Sequence, residues 1–267
     1  MYLDYLEIYR LHESESLLYV RGSEANLSDV LSQEYAAQKQ GQEQKSITKS
    51  HNFKITNPSD VVQLYQLMYI LDKILIQHDI EYWMECGTLL GAIRHHGIIP
   101  WDDDGDVDIW ETDKIKLESL RPVFDKYGIV LMNTWFGYKI FFKTGALIKG
   151  FKWLYPAVDI FTMKNDNGIV TYSEWKARLY FGHCTYNYNH MYPLQRYQFG
   201  TFELNGIAER EAFNYLDRCY KSDWPDHAYQ MYDHSKEQKI DRVKVKLTDD
   251  DKKPAYPIEF DKRQFHF

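Results

Sequence analysis

Apolar residues between positions 58 and 77 recur every three or four residues, which is the period of one face of an α-helix. They are Val61, Leu64, Tyr65, Met68, Leu71, Leu75 and Ile76. The next segment, IEYWMEC, is predicted to form a strand, and GTLLGAIRHHG a turn followed by a short helix. GDVDIW then alternates polar and apolar residues, as a β-strand does when its two faces meet different surroundings.

A second helix is predicted over TDKIKLESLRPVFDKYG, where Pro122 splits or kinks it and Gly128 ends it. Strand-like runs follow in IVLMN, YKIFFK, AVDIFTMK and GIVTYS, and one further helix is predicted near 209–220. This order of elements predicts an α/β (α+β) fold with a mixed sheet flanked by helices.

Composition divides the chain into three parts. Residues 1–57 form a variable segment that is partly polar or mobile and includes the Gln- and Lys-rich run LSQEYAAQKQGQEQK. Residues 58–225 carry the periodic elements of one domain. Residues 226–267 form a C-terminal extension that packs on the domain or trails from it, with a charged, proline-containing tail that we expect to be loosely held.

Bulk composition is that of a soluble globular protein, with 267 residues of which 44% are hydrophobic. The chain contains no apolar run of transmembrane length and no secretory signal, so a cytoplasmic location is expected. The net charge of −7 argues against broad binding to nucleic acid. Three widely spaced cysteines without a CxxC pair are expected to be free thiols.

An acidic run interrupts the apolar pattern at IIPWDDDGDVDIW. If this stretch is extended throughout, Asp102, Asp104, Asp106 and Asp108 share one face and can converge on a hard divalent cation such as Mg²⁺. The alternative is a solvated acidic loop. A calcium EF-hand does not fit, because its sixth and twelfth positions would be Val107 and Asp113.

A third carboxylate is predicted at Asp159, a lone acid in the apolar run PAVDIFTM. Acids in a buried strand are rare unless they bind a metal or pair with a cation. Two interpretations of Asp159 stay open: it is a metal ligand beside the acidic run, or it forms a salt bridge to a nearby Lys or Arg.

Several residues around the acids are candidates for substrate binding. Gly87 and Thr88 lie where a strand turns into a helix, and helix N-termini favour phosphate. Arg94 either holds a phosphate or pairs with the acidic run. Trp101 and Asp102 adjoin the acids. Lys139 adds positive charge, although we expect its side chain to be exposed to solvent. Neither a P-loop nor a GxSxG motif occurs.

These residues resemble a known family. GTLLGAIRHHGIIPWDDDGDVDI is closely similar to the signature of the LicD family, which includes bacterial phosphocholine transferases, fukutin and fukutin-related proteins. VDIFTM continues the likeness. YLDRCYKSDW continues it more weakly, because Lys221 and Ser222 stand where a glycine is usual. The resemblance covers roughly residues 60 to 225, and no counterpart is identified for the first 50.

The resemblance implies a nucleotidyltransferase-like fold of the polymerase-β type. By position, Gly87 and Thr88 would form its turn, Asp104 and Asp106 its metal-binding pair, and Asp159 its third acid. The residue between the paired acids is usually apolar, whereas here it is Gly105. A pair shifted by two residues, Asp106 with Asp108, therefore stays open.

The implied activity is transfer of a phospho-alcohol or phospho-sugar from a nucleotide-diphosphate donor to a glycan hydroxyl, with Mg²⁺ or Mn²⁺. The best-known branches of the family use CDP-choline and CDP-ribitol. One alternative is a nucleotidyltransferase that attaches a nucleoside monophosphate and releases pyrophosphate. Another is a catalytically inactive module that binds a glycan.

Overall fold

The structure is a computed structural model that describes residues 53–267. Its α-helices are α1 (Pro58–Gln77), α2 (Cys86–His95), α3 (Lys114–Ser119), α4 (Arg121–Lys126), α5 (Trp175–Phe181), α6 (Tyr188–Met191) and α7 (Glu209–Tyr220). Its strands are β1 (Tyr82–Met84), β2 (Gly105–Trp110), β3 (Ile129–Asn133), β4 (Gly137–Leu147), β5 (Leu154–Asp166), β6 (Ile169–Tyr172), β7 (Tyr186–Asn187), β8 (Gln195–Phe199), β9 (Phe202–Gly206), β10 (His227–Asp233) and β11 (Gln238–Lys246). Short 3₁₀ turns span Glu111–Asp113, Asp250–Lys252 and Lys262–Gln264.

The central sheet is mixed, with strand order β1-β2-β5-β4-β3 and with β6 and β7 continuing from the end of β5. Only the pairing of β2 with β5 is parallel among its ladders; the others are antiparallel. Two separate hairpins, β8–β9 and β10–β11, complete the β-structure of the described residues. The predicted mixed α/β sheet flanked by helices is confirmed.

Helix α1 packs its apolar stripe against the sheet, where it meets β4 and β5. The helix begins with Pro58 in its first turn, a position that suits proline because no intrahelical donor is lost there. Leu64, Leu71 and Leu75 are almost fully buried, as the periodicity predicts, whereas Ile76 is 47% exposed. The helix therefore forms one wall of the core beneath β5.

The second predicted helix is divided in two, as Pro122 predicts. Helix α3 ends at Ser119 and α4 starts at Arg121, with Pro122 in the first turn of α4. Gly128 follows α4 with a φ of +68°, a left-handed conformation that glycine adopts without steric cost. The strand-like runs that follow form β3 to β6, and α7 spans the predicted helix near 209–220.

The C-terminal extension packs on the domain, unlike the loosely held tail expected from its charge. Its β10–β11 hairpin and the turn after it bury Ala228 and Ala255. The amide of Ala255 donates to the carbonyl of Ile98 at 2.7 Å, next to the acidic run. Small buried apolar side chains and backbone hydrogen bonds hold this segment on the domain. Neither kind of contact can be recognised from the number of charged residues in the sequence.

The predicted variable segment 1–57 lies outside the described residues except for positions 53–57. Phe53 stacks on Trp101 with ring centroids 4.6 Å apart, and the amide of Thr56 donates to the carbonyl of Pro100. The three cysteines are free thiols, as expected. Within residues 53–267, the structure contains no helix with the length and apolar character needed to cross a membrane.

Candidate active site

Three carboxylates meet where β2 and β5 run side by side. Asp104 immediately precedes β2, Asp106 is the second residue of β2, and Asp159 lies opposite Asp106 in the parallel register. One carboxylate oxygen from each lies within 4.8 Å of the other two. The sheet thus brings together the three acids that the sequence predicts as a set.

Burial and mutual repulsion act on these acids together. Burial raises the pKa of Asp106 well above its usual range, and the carboxylates of Asp104 and Asp159 raise it further. Burial also raises the pKa of Asp159 to about 6, although the Lys139 ammonium opposes that shift. Carboxylates this close repel one another when all are ionised, and a bound cation would stabilise their ionised forms.

Lys139 lies opposite Asp159 in the antiparallel ladder between β4 and β5. Its Nζ is 2.5 Å from Asp159 Oδ1, and the residue is only 3% exposed. The expectation of a solvated Lys139 is therefore wrong. The predicted salt bridge of Asp159 is therefore present, and its role as a metal ligand stays a prediction, although the carboxylate lies in the acid cluster.

Gly87 and Thr88 lie inside the first turn of α2, which begins one residue earlier at Cys86. The Thr88 hydroxyl accepts a hydrogen bond from the amide of Asp106 at 2.8 Å, and this bond ties the helix N-terminus to β2. A Cβ at Gly87 would lie 2.6 Å from Asp102 Oδ2. Glycine therefore lets the Asp102 carboxylate approach the helix. The phosphate-binding role of this turn stays a prediction.

Trp101 and Asp102 form the wall on the side of α2. Trp101 is 5% exposed, and its carbonyl accepts from Gln230 Nε2 of β10 at 2.9 Å. Burial raises the pKa of Asp102 well above its usual range, with further contributions from the Asp104 and Asp103 carboxylates.

Arg94 connects α2 to the C-terminal extension. Its guanidinium donates to the carbonyl of His227 at 3.0 Å and also to the carbonyl of Trp224. These two carbonyl groups accept hydrogen bonds from the Arg94 guanidinium. Arg94 therefore has a structural role that differs from both predicted roles, phosphate binding and pairing with the acidic run. Binding of a phosphate by Arg94 stays a prediction.

We expect Arg94→Met to destabilise the protein by about 1–3 kcal/mol, because two partly buried carbonyl groups lose their donor. Urea unfolding measures the change, and Arg210→Met is the matched control because Arg210 is exposed on α7. If Arg94 also holds a phosphate, the KM for the donor rises in the variant. Unchanged stability would show that the contacts to Trp224 and His227 contribute little.

Two cavities that share part of their lining open at the acids. The first, of about 260 Å³, is walled by α2 and β10, including Gly87, Arg94 and Trp101. The second, of about 450 Å³, is lined by Asp159, Lys239 and a set of aromatic rings from β5, β6, α5, α7 and β10, and the rings from α7 and β10 also line the first cavity. The rings of the second cavity are Phe161, Tyr172, Tyr180, Phe181, Tyr220 and Tyr232. Asp104 and Asp106 line both cavities, so a molecule in either can reach the acids.

His234 enters the site from the turn between β10 and β11, and the sequence contains no signal for it. Its Nε2 is 3.2 Å from Asp104 Oδ2, and its backbone amide donates to Asp103 Oδ2 at 3.1 Å. Burial alone would lower the pKa of His234, but the carboxylates of Asp104, Glu237 and Asp103 outweigh it and raise the pKa well above the usual range. Only the folded hairpin brings His234 to Asp103, which is 131 positions away.

Glu85 and Asp108 form a second acidic pair under the site, with no exposed surface. Tyr172 donates to Glu85, and the Tyr186 hydroxyl donates to Asp108 Oδ2 at 2.7 Å. Burial raises the pKa of Glu85 well above its usual range and that of Asp108 to about 7. Asp108 thus has tyrosine and glutamate neighbours, and the geometry favours Asp104 with Asp106 over Asp106 with Asp108 as the metal pair.

We expect Asp108→Asn to flatten the pH dependence of stability. The raised pKa means that folding favours the neutral carboxyl, so its stabilisation is full below pH 3.8 and is lost as the pH rises through about 7. Metal-free wild type should lose on the order of 2 kcal/mol more than the variant between pH 5 and pH 8. Thermal unfolding at both pH values measures this. An equal loss in both proteins would contradict it, and the exposed Asp166→Asn is the control.

Comparison with known proteins identifies the family of this chain. The model for the LicD/FKTN/FKRP nucleotidyltransferase domain matches residues 79–206, a range that contains β1 to β9 and the three clustered acids. Residues 79–206 accordingly match a nucleotidyltransferase domain, and the structure gives them a mixed α/β sheet flanked by helices. The chain belongs to the LicD family.

Individual relatives agree with that assignment. The uncharacterized protein RP689 of Rickettsia prowazekii is 33% identical over 203 residues, which cover 74% of this chain and 70% of that protein. Human ribitol 5-phosphate transferase FKRP is 46% identical over 56 residues, covering 19% of this chain and 11% of FKRP. The lipopolysaccharide cholinephosphotransferase LicD of Haemophilus influenzae is 61% identical over 31 residues, 12% of each chain.

Among solved structures, the lincomycin-bound lincosamide adenylyltransferase LnuA aligns with a TM-score of 0.35 and 15% identity, over 59% of this chain and 96% of LnuA. A similarity at that level supports no conclusion about this chain. The family assignment rests on the sequence matches.

Proposed function

We propose that this protein is a divalent-metal-dependent phosphotransferase. It would move a phospho-alcohol or phospho-sugar, such as phosphocholine or ribitol phosphate, from a nucleotide-diphosphate donor to a glycan hydroxyl. The observation that carries the proposal is the meeting of Asp104, Asp106 and Asp159 where two cavities open, in a member of the LicD family.

The named relatives support the type of group transferred. FKRP is named for ribitol 5-phosphate and LicD for cholinephosphate, and both names describe transfer of a phosphorylated alcohol. The matched segments are short, and the chain covers about a tenth of each of these proteins. The donor alcohol, the CDP part of the donor and the glycan acceptor are therefore proposals for this chain.

The clustered carboxylates suit a hard cation. Oxygen ligands around a six-coordinate ion at about 2.1 Å lie about 3 Å apart when adjacent and about 4.2 Å apart when opposite. The three acids offer oxygens within 4.8 Å of one another, so a small movement of their side chains would bring them to these spacings. Mg²⁺ or Mn²⁺ held by Asp104, Asp106 and Asp159 would neutralise charge on the donor diphosphate and on the leaving nucleoside monophosphate.

The two cavities would then bind different parts of the substrates. In the first, the α2 N-terminus at Gly87 and Thr88, with Arg94 beyond, would hold the donor phosphates. In the second, the aromatic rings would hold the sugar or alcohol group against apolar faces. Asp159 would accept the proton of the attacking hydroxyl, and Lys139 would favour its ionised, proton-accepting form.

A second candidate function is transfer of a nucleoside monophosphate with release of pyrophosphate. The matching family model is itself described as a nucleotidyltransferase domain, and the same three acids suit both reactions. The two reactions differ in the phosphorus atom attacked and in the leaving group.

Product analysis tests both functions. The protein is incubated with Mn²⁺ and CDP-choline, CDP-ribitol or CTP, with a glycan panel or water as acceptor, and products are followed by ³¹P NMR. We expect CMP from a CDP-alcohol. Pyrophosphate from CTP would support the second function. Absence of both products, with no shift in Tm on adding Mg²⁺ with CDP or CTP, would favour an inactive glycan-binding module.

A further inference from the structure

The β10–β11 hairpin holds His234 firmly beside the acids. Gln230 Nε2 donates to the carbonyls of Trp101, at 2.9 Å, and Lys54, at 3.0 Å. Lys54 Nζ donates in turn to Asp233 at 2.7 Å, immediately before the turn. These contacts join the hairpin to the segment that enters the acidic run. The position of the imidazole is therefore set by the fold.

A buried glutamate faces the second nitrogen of the imidazole ring. Glu237 is 3% exposed and is held by the Trp153 indole N–H at 2.8 Å and the Tyr232 hydroxyl at 3.1 Å. Its Oε2 lies 3.8 Å from His234 Nδ1, on the side of the ring away from Asp104. Metal-bound histidines commonly have this arrangement, in which a carboxylate faces one ring nitrogen and leaves the other for the ion.

His234 Nε2 lies with two carboxylates at distances that suit one cation. Asp103, Asp104 and His234 each offer an atom within 4.8 Å of the other two, and Nε2 is 3.2 Å from Asp104 Oδ2. Adjacent ligands of an octahedral ion at about 2.1 Å are separated by about 3 Å. The side chains of His234 and Asp104 are 27% and 13% exposed, so an ion can reach them.

We propose that Asp103, Asp104 and His234 form a second divalent-cation site, which shares Asp104 with the Asp104–Asp106–Asp159 cluster. An imidazole among the ligands favours a transition-metal ion such as Mn²⁺ over Mg²⁺, whereas the all-carboxylate cluster accepts either. His234 lies outside the matched range 79–206, so this site combines the family domain with the C-terminal extension.

The simpler alternative is an ion pair in which His234 serves only as a counter-ion to Asp104. Metal counting on the full chain separates the two. Apo-protein is titrated with Mn²⁺ and the free ion is measured by electron paramagnetic resonance, with no nucleotide present. We expect two Mn²⁺ per chain for wild type and one for His234→Ala. Asp159→Asn should weaken the other site and leave the His234 site occupied.

A spectroscopic readout identifies the nitrogen ligand directly. Electron spin-echo modulation should show ¹⁴N coupling to bound Mn²⁺ in wild type and none in His234→Ala. The matched control is His227→Ala, which also alters a cavity-lining histidine of β10, but one whose Nδ1 faces Asp223 at 3.9 Å. His227→Ala should keep both ions and the coupling. Circular dichroism verifies that each variant is folded.

A single Mn²⁺ per wild-type chain without ¹⁴N coupling would overturn the second site, as would coupling that survives in His234→Ala. These outcomes do not depend on the transfer reaction, because the titration contains neither donor nor acceptor. If the donor assay fails while two ions bind, the proposed function is wrong and the second site stands.

Discussion

Replacing Asp106 by asparagine is expected to reduce transfer about 100- to 1000-fold without destabilising the protein. The substitution removes a carboxylate from the centre of the cluster, and lost electrostatic stabilisation of a transition state commonly costs 10²–10³-fold per group. The raised pKa of Asp106 means that its ionised form destabilises the metal-free fold above its unfolded pKa. A neutral amide of the same shape removes that cost.

Two measurements check the Asp106→Asn prediction. CMP release from the donor measures turnover, and thermal unfolding of the metal-free protein at pH 8 measures stability. We expect a Tm equal to or above that of wild type. Asp166→Asn, at the exposed end of β5, should change neither quantity. If Asp106→Asn retains turnover within tenfold of wild type, Asp106 does not hold the reacting metal.

Lys139→Met is expected to give the largest loss of stability, about 3–5 kcal/mol, because it leaves the Asp159 carboxylate buried without its 2.5 Å partner. The matched control is Lys143→Met on the same strand. Lys143 forms an equally short pair with Asp125, but its side chain is 45% exposed and that of Asp125 is 64% exposed. Solvent screening limits this exposed pair to about 1 kcal/mol or less.

The double variant Lys139→Met with Asp159→Leu separates structure from chemistry. Removing both charges should recover most of the lost stability, since an apolar pair can replace a buried ion pair at little cost. Activity should stay absent, because the acid cluster has lost Asp159. Urea unfolding and CMP release measure the two effects. Recovery of both stability and turnover would show that Asp159 serves the fold alone.

The local elements were predictable because local forces determine them. The spacing of Leu64, Leu71 and Leu75 predicts α1, and Pro122 predicts the break between α3 and α4. Alternation along the strand predicted a shared face for Asp102, Asp104, Asp106 and Asp108, and the family resemblance selected Asp104 and Asp106 from them. Asp159 is isolated in an apolar run. An acid in such a position requires a partner, and a metal or a lysine can supply one.

Contacts between distant segments were not predictable. From the sequence alone, Lys139 is predicted to be a surface lysine. The β4–β5 register instead places it opposite Asp159. Asp108 belongs to the same alternating run as Asp106, yet it is enclosed with Glu85 and tyrosines from other elements. His234 comes from the C-terminal extension, for which the sequence left open whether it packs on the domain or trails from it. In each case the neighbours come from elsewhere in the chain.

The sequence by itself determined the element types and the LicD-family resemblance, because periodicity and a signature motif are local properties of a few residues. The resemblance pointed to Asp104, Asp106 and Asp159 and left the pair Asp106 with Asp108 open. Only the tertiary structure decided which groups surround those acids. Sheet register and hairpin docking place Lys139 and His234 within about 3 Å of Asp159 and Asp104, respectively. Burial and neighbouring charge, which set each pKa, are properties of that arrangement and have no local signature.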